Sequence, residues 1–219
     1  MKQLLRISII SLLSIACNST KITSSWKAES VQPVKYKKIL VLGLINEPDR
    51  SIRENMEINL VTNLKSLGYD ATCSCDEFDP KTFEHMTEKE ALAKLGNAGI
   101  DAVLTVVLLD KEKEKYYVPG RVYYSPYAVY HNHFWGYYTT IYDRVYSTGY
   151  YVTDTKYFWE TNLYSFDKTP QLLYSAQSQS FDPLSTSALT YDYGKMIIKD
   201  LVKNNVVKDQ TGVKSPSGF

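Results

Sequence analysis

Cysteine is scarce in this chain, with three residues in 219. That excludes a scaffold held together by many disulfides. Charge of either sign is in no excess: Lys plus Arg is 25, Asp plus Glu is 24, and the formal net charge is +1. A nucleic-acid binder working through a large positive field is therefore excluded. No apolar run reaches the ~18 residues of an ordinary spanning helix. Histidine numbers three, and Gly-x-Ser-x-Gly, His-Glu-x-x-His and Cys-x-x-Cys are all missing, so no recognised nucleophile or zinc pattern supports a hydrolase. Gly43-Leu44-Ile45-Asn46 follows a strand pattern without the glycines of a phosphate loop. The chain does have the composition of a folding protein, 44% hydrophobic and 22% charged. It also has 19 tyrosines, 13 of them between residues 116 and 157.

The first residues carry a distinct signal. Lys2 and Arg6 precede a short apolar stretch from Ile7 to Ala16, and Cys17 follows directly. A charged start, a short apolar core and a small residue before the cleavage point are the marks of a secretory signal. The pattern resembles a bacterial lipobox, with Ser14 where leucine is usual. The resemblance implies cleavage before Cys17 and acylation of its sulfur, with two or more chains needed for stable anchoring. Residues 1–16 are thus expected to be a signal peptide. Residues 17–33, rich in Ser, Thr and Lys, are expected to be a lipidated tether in which Trp26 alone packs back on the domain.

The folded part is expected over 34–208. Ile39–Ile45 is a short apolar run ended by Asn46-Glu47-Pro48-Asp49, the mark of a buried strand. Ser51-Ile52-Arg53-Glu54 has the form of a capping box and opens a helix carrying Ile52, Met56, Leu60, Val61, Leu64 and Leu67, closed by Gly68. Tyr69–Phe78 is a second strand candidate. Thr87-Glu88-Lys89-Glu90 is another capping box, before a helix with Ala91, Leu92 and Leu95 on one side. Ile100–Leu109 is the most apolar strand and is expected at the sheet centre. Tyr157–Phe166 and Gln171–Phe181 suggest an antiparallel hairpin, and Ser187–Asn204 a closing amphipathic helix. Residues 209–219 look like a loose tail. The fold class predicted is α/β: one three-layer-like domain with a mixed sheet, a β-α-β-α-β unit followed by antiparallel strands and a C-terminal helix.

A lipidated cysteine, a tether with a tryptophan, the Lys-Lys-Ile-Leu-Val-Leu-Gly strand at 37–43, the Leu-Gly-Tyr helix end at 67–69 and the Gly-Ile-Asp-Ala-Val-Leu strand at 99–104 occur in this order. The order resembles uncharacterised bacterial envelope lipoproteins whose domain is similar to the TolB amino-terminal domain and the curli-secretion lipoprotein. The resemblance spans roughly residues 34–205 as an order of elements. It implies a binding or assembly role at the outer membrane and carries no catalytic motif.

The Tyr-rich β-extension at about 116–157 includes Tyr123, Tyr124, Tyr127, Tyr130, Phe134, Trp135, Tyr137 and Tyr138. Tyrosine combines an apolar face with a polar tip, which suits half-buried, half-wet surfaces. The segment fits a twisted β-extension held by cross-strand pairs, a contact surface for protein or glycan, or an aromatic belt at a membrane interface. His131 and His133 stand at i and i+2 and would share one side of an extended chain, a weak pattern for a metal without further ligands. Cys73 and Cys75 have the same spacing, and two buried thiols acting as small apolar residues are favoured over a strained or intermolecular bridge. Asp76, Glu77 and Asp79 are expected as solvated turn residues.

These observations together predict a non-enzymatic, membrane-anchored envelope lipoprotein. It would bind a partner or assemble with itself through the Tyr-rich surface, without a cofactor and without nucleic acid. The alternatives are a glycan or small-ligand binder using the same rings, and a metal-dependent enzyme centred on His131 and His133.

Overall fold

A computed structural model of the chain describes residues 20–29, 31–33, 35–78, 82–83, 85–118, 150–166 and 170–212, with backbone alone at 116–118 and 150–152. The chain divides into two compact units, one of Met1–Lys111 with Lys156–Phe219 and one of Glu112–Thr155. Six strands make one sheet: β1 (Thr20–Lys27), β2 (Ile39–Leu44), β3 (Ala71–Cys73), β4 (Ala102–Val118), β5 (Tyr150–Ser165) and β6 (Gln171–Phe181). Their order across the sheet is β1-β6-β5-β4-β2-β3. The helices are α1 (Ser51–Ser66), the short α2 (Ser74–Glu77), α3 (Glu88–Asn97) and α4 (Thr186–Lys203). This is the predicted α/β fold with a mixed sheet and a closing helix.

The sheet is parallel where helices lie between its paired strands, and antiparallel at β5–β6 and β6–β1. β2 pairs parallel with both β3 and β4. β5 pairs antiparallel with β6, and β6 with β1. Alternate side chains of the inner strands enter two different cores, as the two-residue period requires. Ile39, Val41, Leu104 and Val106 join Met56, Leu60 and Leu64 of α1 and Tyr193, Ile197 and Leu201 of α4. Leu40 and Val103, on the opposite face, join Leu95 of α3 and Ile100. Burial on both faces explains why β2 and the first half of β4 are continuous apolar runs rather than alternating ones.

Local chemistry sets the helix ends. At α3 the predicted capping box forms: Glu90 N donates to Thr87 Oγ1 at 3.4 Å, and Thr87 N donates to Glu90 Oε2 at 2.8 Å. At α1 it does not. The cap position falls on Arg50, and the Ser51 amide donates to Asp49 Oδ1 at 2.9 Å. The aspartate one step upstream meets the amide first, so Ser51 is helical and not a cap. Gly68 closes α1 as predicted, with φ +85, a left-handed conformation that glycine adopts without steric cost.

Four further expectations are corrected. Thr20–Lys27 is an edge strand paired along its length with β6, so the expected tether over 17–33 does not hold for these residues, and the fold begins well before residue 34. Trp26 is 52% exposed and does not pack back on the core. The Tyr69–Phe78 candidate shrinks to three residues of strand, after which Ser74–Glu77 turns helical. Finally, residues 209–212 are not a loose end: the Gln210 amide donates to Leu67 O at 2.8 Å, after Val206 and Val207 have entered the core.

Candidate functional site

The sequence singled out Cys17, the aromatic set Tyr123, Tyr124, Tyr127, Tyr130, Phe134, Trp135, Tyr137 and Tyr138, and the pair His131 and His133. All of these lie outside the described residues. The structure shows where that aromatic segment is connected: β4 runs to Val118 and β5 starts at Tyr150, so residues 119–149 join two neighbouring strands of the sheet.

The described chain has a different polar centre, built where β3 ends. Glu57 belongs to α1 and stands at helical spacing from Leu60, Val61 and Leu64, on the helix's buried stripe. Its side chain is fully buried. A carboxylate in that position requires donors, since burying it unpaired is costly. It has three: Gly43 N at 2.9 Å and Ser74 Oγ at 2.8 Å on Oε1, and Cys75 N at 3.2 Å on Oε2. Gly43 is what allows this approach. A β-carbon there would sit 2.8 Å from Arg53 Cγ and 3.0 Å from Glu57 Oε1. Glu57 therefore ties α1, the end of β2 and the β3–α2 junction to one carboxylate.

Cys73 and Cys75 form a disulfide beside it, which corrects the expectation of two separate buried thiols. That expectation placed both cysteines on one extended strand, where residues i and i+2 stand about 6.6 Å apart. The chain instead folds at Ser74, bringing the two Cα atoms to 5.2 Å, inside the range a disulfide spans. Cys73 is 2% exposed, whereas Cys75 is open to solvent. A ring closed over three residues removes little freedom from the unfolded chain, roughly 1.6 kcal/mol on the loop-entropy relation. Its contribution to stability is thus small beside that of a long-range bridge.

The two sulfurs and a Glu57 oxygen lie within 4.8 Å of one another, the one such convergence of three His, Cys, Asp or Glu groups among the described residues. Three ligand atoms so placed suit a zinc-like ion only if the sulfurs are thiolates. Bonded to each other they are not, so the carboxylate alone remains a ligand.

The acidic cluster predicted as solvated turn residues is also corrected in part. Glu77 lies in α2 and forms an ion pair with Lys38, and Asp79 lies outside the described residues. Among the described residues, grooves flank the helices. One, of about 390 Å³, opens over the second core between Leu40, Leu42, Phe83, Leu95, Val103 and Phe166. Another, of about 330 Å³, lies between α1 and α4 over Leu67, Ile198 and Val202, with Lys195, Lys199 and Lys203 among its lining residues. No helix among the described residues is long and apolar enough to cross a membrane.

No family model and no curated protein matches the chain. Among solved structures, the chain is similar to the PelC dodecamer from Paraburkholderia phytofirmans, with 11% sequence identity and a TM-score of 0.45, over 88% of this chain and 99% of that one. It is similar also to a methionine-for-leucine variant of that dodecamer, with 11% identity and a TM-score of 0.44, over 85% of this chain and 99% of that one.

Proposed function

We propose that this protein is a non-enzymatic envelope lipoprotein, anchored at the outer membrane through acyl chains on Cys17. It binds a partner or further copies of itself through the aromatic segment. The observation that carries this reading is the placement of residues 119–149 between β4 and β5, two inner strands of the sheet. A segment dense in Tyr, Phe and Trp offers large contact area at low side-chain entropy cost. The disulfide at Cys73–Cys75 supports an oxidising compartment. The charged start and short apolar core before Cys17 support export and lipidation.

The test is to extract the protein from its native membrane fraction in detergent and measure two masses. The mass of the N-terminal peptide is expected to show an acylated Cys17. Light scattering of the same sample is expected to show several chains per particle, falling toward one when Trp135 and Tyr137 are replaced by serine. An unmodified N-terminus upstream or downstream of Cys17 overturns the anchor. A single-chain mass for the wild-type protein, with no other protein bound, overturns assembly and partner binding.

A further inference from the structure

We propose that Cys73–Cys75 is a thiol–disulfide exchange centre, a redox activity that goes beyond the binding role above and, if present, replaces its non-enzymatic part. Cys75 is the sulfur an external thiolate attacks. Cys73 is the sulfur that leaves and later recloses the bond, and Glu57 accepts the Cys73 proton in that closure.

Three observations carry this. The two residues are unequal, since Cys75 is exposed and Cys73 is 2% exposed. An attacking thiolate approaches along the S–S axis, and the exposed residue is taken as the side it comes from. The pair sits at the end of β3, an edge strand of the sheet, so one flank has no neighbouring strand to cover it. And a fully buried carboxylate stands within 4.8 Å of both sulfurs. One of its oxygens carries two hydrogen bonds and the other carries one, which leaves Oε2 with capacity for a further donor. In the oxidised pair no S–H exists to use that capacity. In the reduced pair the Cys73 thiol does.

The steps balance with two equivalents of an external thiol, RSH, each ionising to a thiolate whose proton ends on a cysteine sulfur. The first thiolate bonds to Cys75 Sγ, the Sγ–Sγ bond breaks, and the electron pair stays on Cys73 Sγ, which takes a proton. The product is a mixed disulfide on Cys75 and a Cys73 thiol beside Glu57. A second RS⁻ attacking the sulfur of the bound R releases RSSR and leaves the dithiol, so two electrons pass from two thiols to the protein. In the closing direction Glu57 takes the Cys73 proton, the Cys73 thiolate attacks Cys75 Sγ, RS⁻ departs, and the proton passes from Glu57 to the departing thiolate, giving RSH and restoring the carboxylate.

The test uses the full chain and glutathione, with each adduct located by peptide mass mapping because Cys17 is a third sulfur. Oxidised glutathione is expected to modify Cys75 in Cys73→Ala about tenfold or more faster than it modifies Cys73 in Cys75→Ala. Equal rates, or no adduct on Cys75, overturn the assignment. If either variant fails to fold, the wild-type protein decides. Across buffers of reduced and oxidised glutathione its pair is expected to shift between disulfide and dithiol, and a pair fixed in one state throughout overturns the proposal. Glu57→Gln separates proton transfer from simple support. It is expected to slow release of glutathione from Cys75 by Cys73 about tenfold or more while leaving the first attack unchanged. Equal slowing of both steps removes Glu57 from the chemistry.

Discussion

Replacing Glu57 with alanine strips three donors of their acceptor at once. Gly43 N, Ser74 Oγ and Cys75 N all lose it, two of them at a buried site. An orphaned buried donor costs about 1–3 kcal/mol, so Glu57→Ala is expected to lower stability by about 3 kcal/mol or more, read from the urea midpoint. The titratable phenols give a second prediction at this scale. Tyr36, Tyr174 and Tyr193 are held above the ordinary tyrosine range, in each case chiefly by burial. At Tyr174 a hydrogen bond to Asp200 Oδ2 at 2.7 Å adds to this. The folded chain keeps them neutral, whereas the unfolded chain ionises them near pH ~10. Their contribution is fully present below that pH and is lost as pH rises toward the folded values. Urea midpoints are therefore expected to hold through pH 9 and fall above about 10, and Tyr174→Phe is expected to make that fall shallower. Little of this was legible beforehand. Glu57 was not singled out from the sequence, although it is a carboxylate on an otherwise apolar helical stripe. Its partners come from segments 14 and 17 residues away, and nothing local encodes them.

The helices α1 and α4 meet where α4 has no side chain. A β-carbon on Gly194 would lie 3.4 Å from Asn59 Cβ and from Asn63 Nδ2. Gly194→Leu is expected to force the two helices apart and cost about 1–3 kcal/mol, measured by thermal or urea unfolding. Legibility followed the range of the controlling interaction. The α3 cap rests on Thr87 and Glu90, four consecutive positions, and reads directly. The periodicity of α1 and α4 reads as well, because each buries one continuous stripe. β1 did not read, because its residues are mostly polar and exposed and it holds its place by hydrogen bonds to β6. Lys27 even serves another element, its Nζ donating to Asn204 O, the carbonyl at the end of α4, at 2.8 Å. An edge strand of this kind is defined by its neighbour and not by its own pattern. β3 was overextended because only the turn at Ser74, fixed by the disulfide and Glu57, ends it.

Across the whole molecule, the alternation of strand and helix over residues 35–110 was enough to predict a sheet layered by helices. The two-sided burial of β2 and β4 shows why: a sheet covered on both faces needs apolar runs, and such runs are conspicuous. The disulfide makes a contrasting prediction at this scale. Because its ring spans three residues, reducing it is expected to lower global stability by only about 1–2 kcal/mol, and unfolding is expected to remain one cooperative transition by circular dichroism with and without reductant.

The early start of β1 bears on how the molecule would stand on a bilayer. Three residue steps separate Cys17 from Thr20, the first residue of β1, and three steps of chain reach at most ~11 Å. The sixteen steps of a tether running to residue 33 would instead have allowed roughly 55 Å. A lipid on Cys17 would therefore dock this domain almost flush with the headgroups, with one end of the sheet's edge lowermost. Lys21 would then be close enough to meet lipid phosphates. The range of heights open to the start of β1 would be narrow.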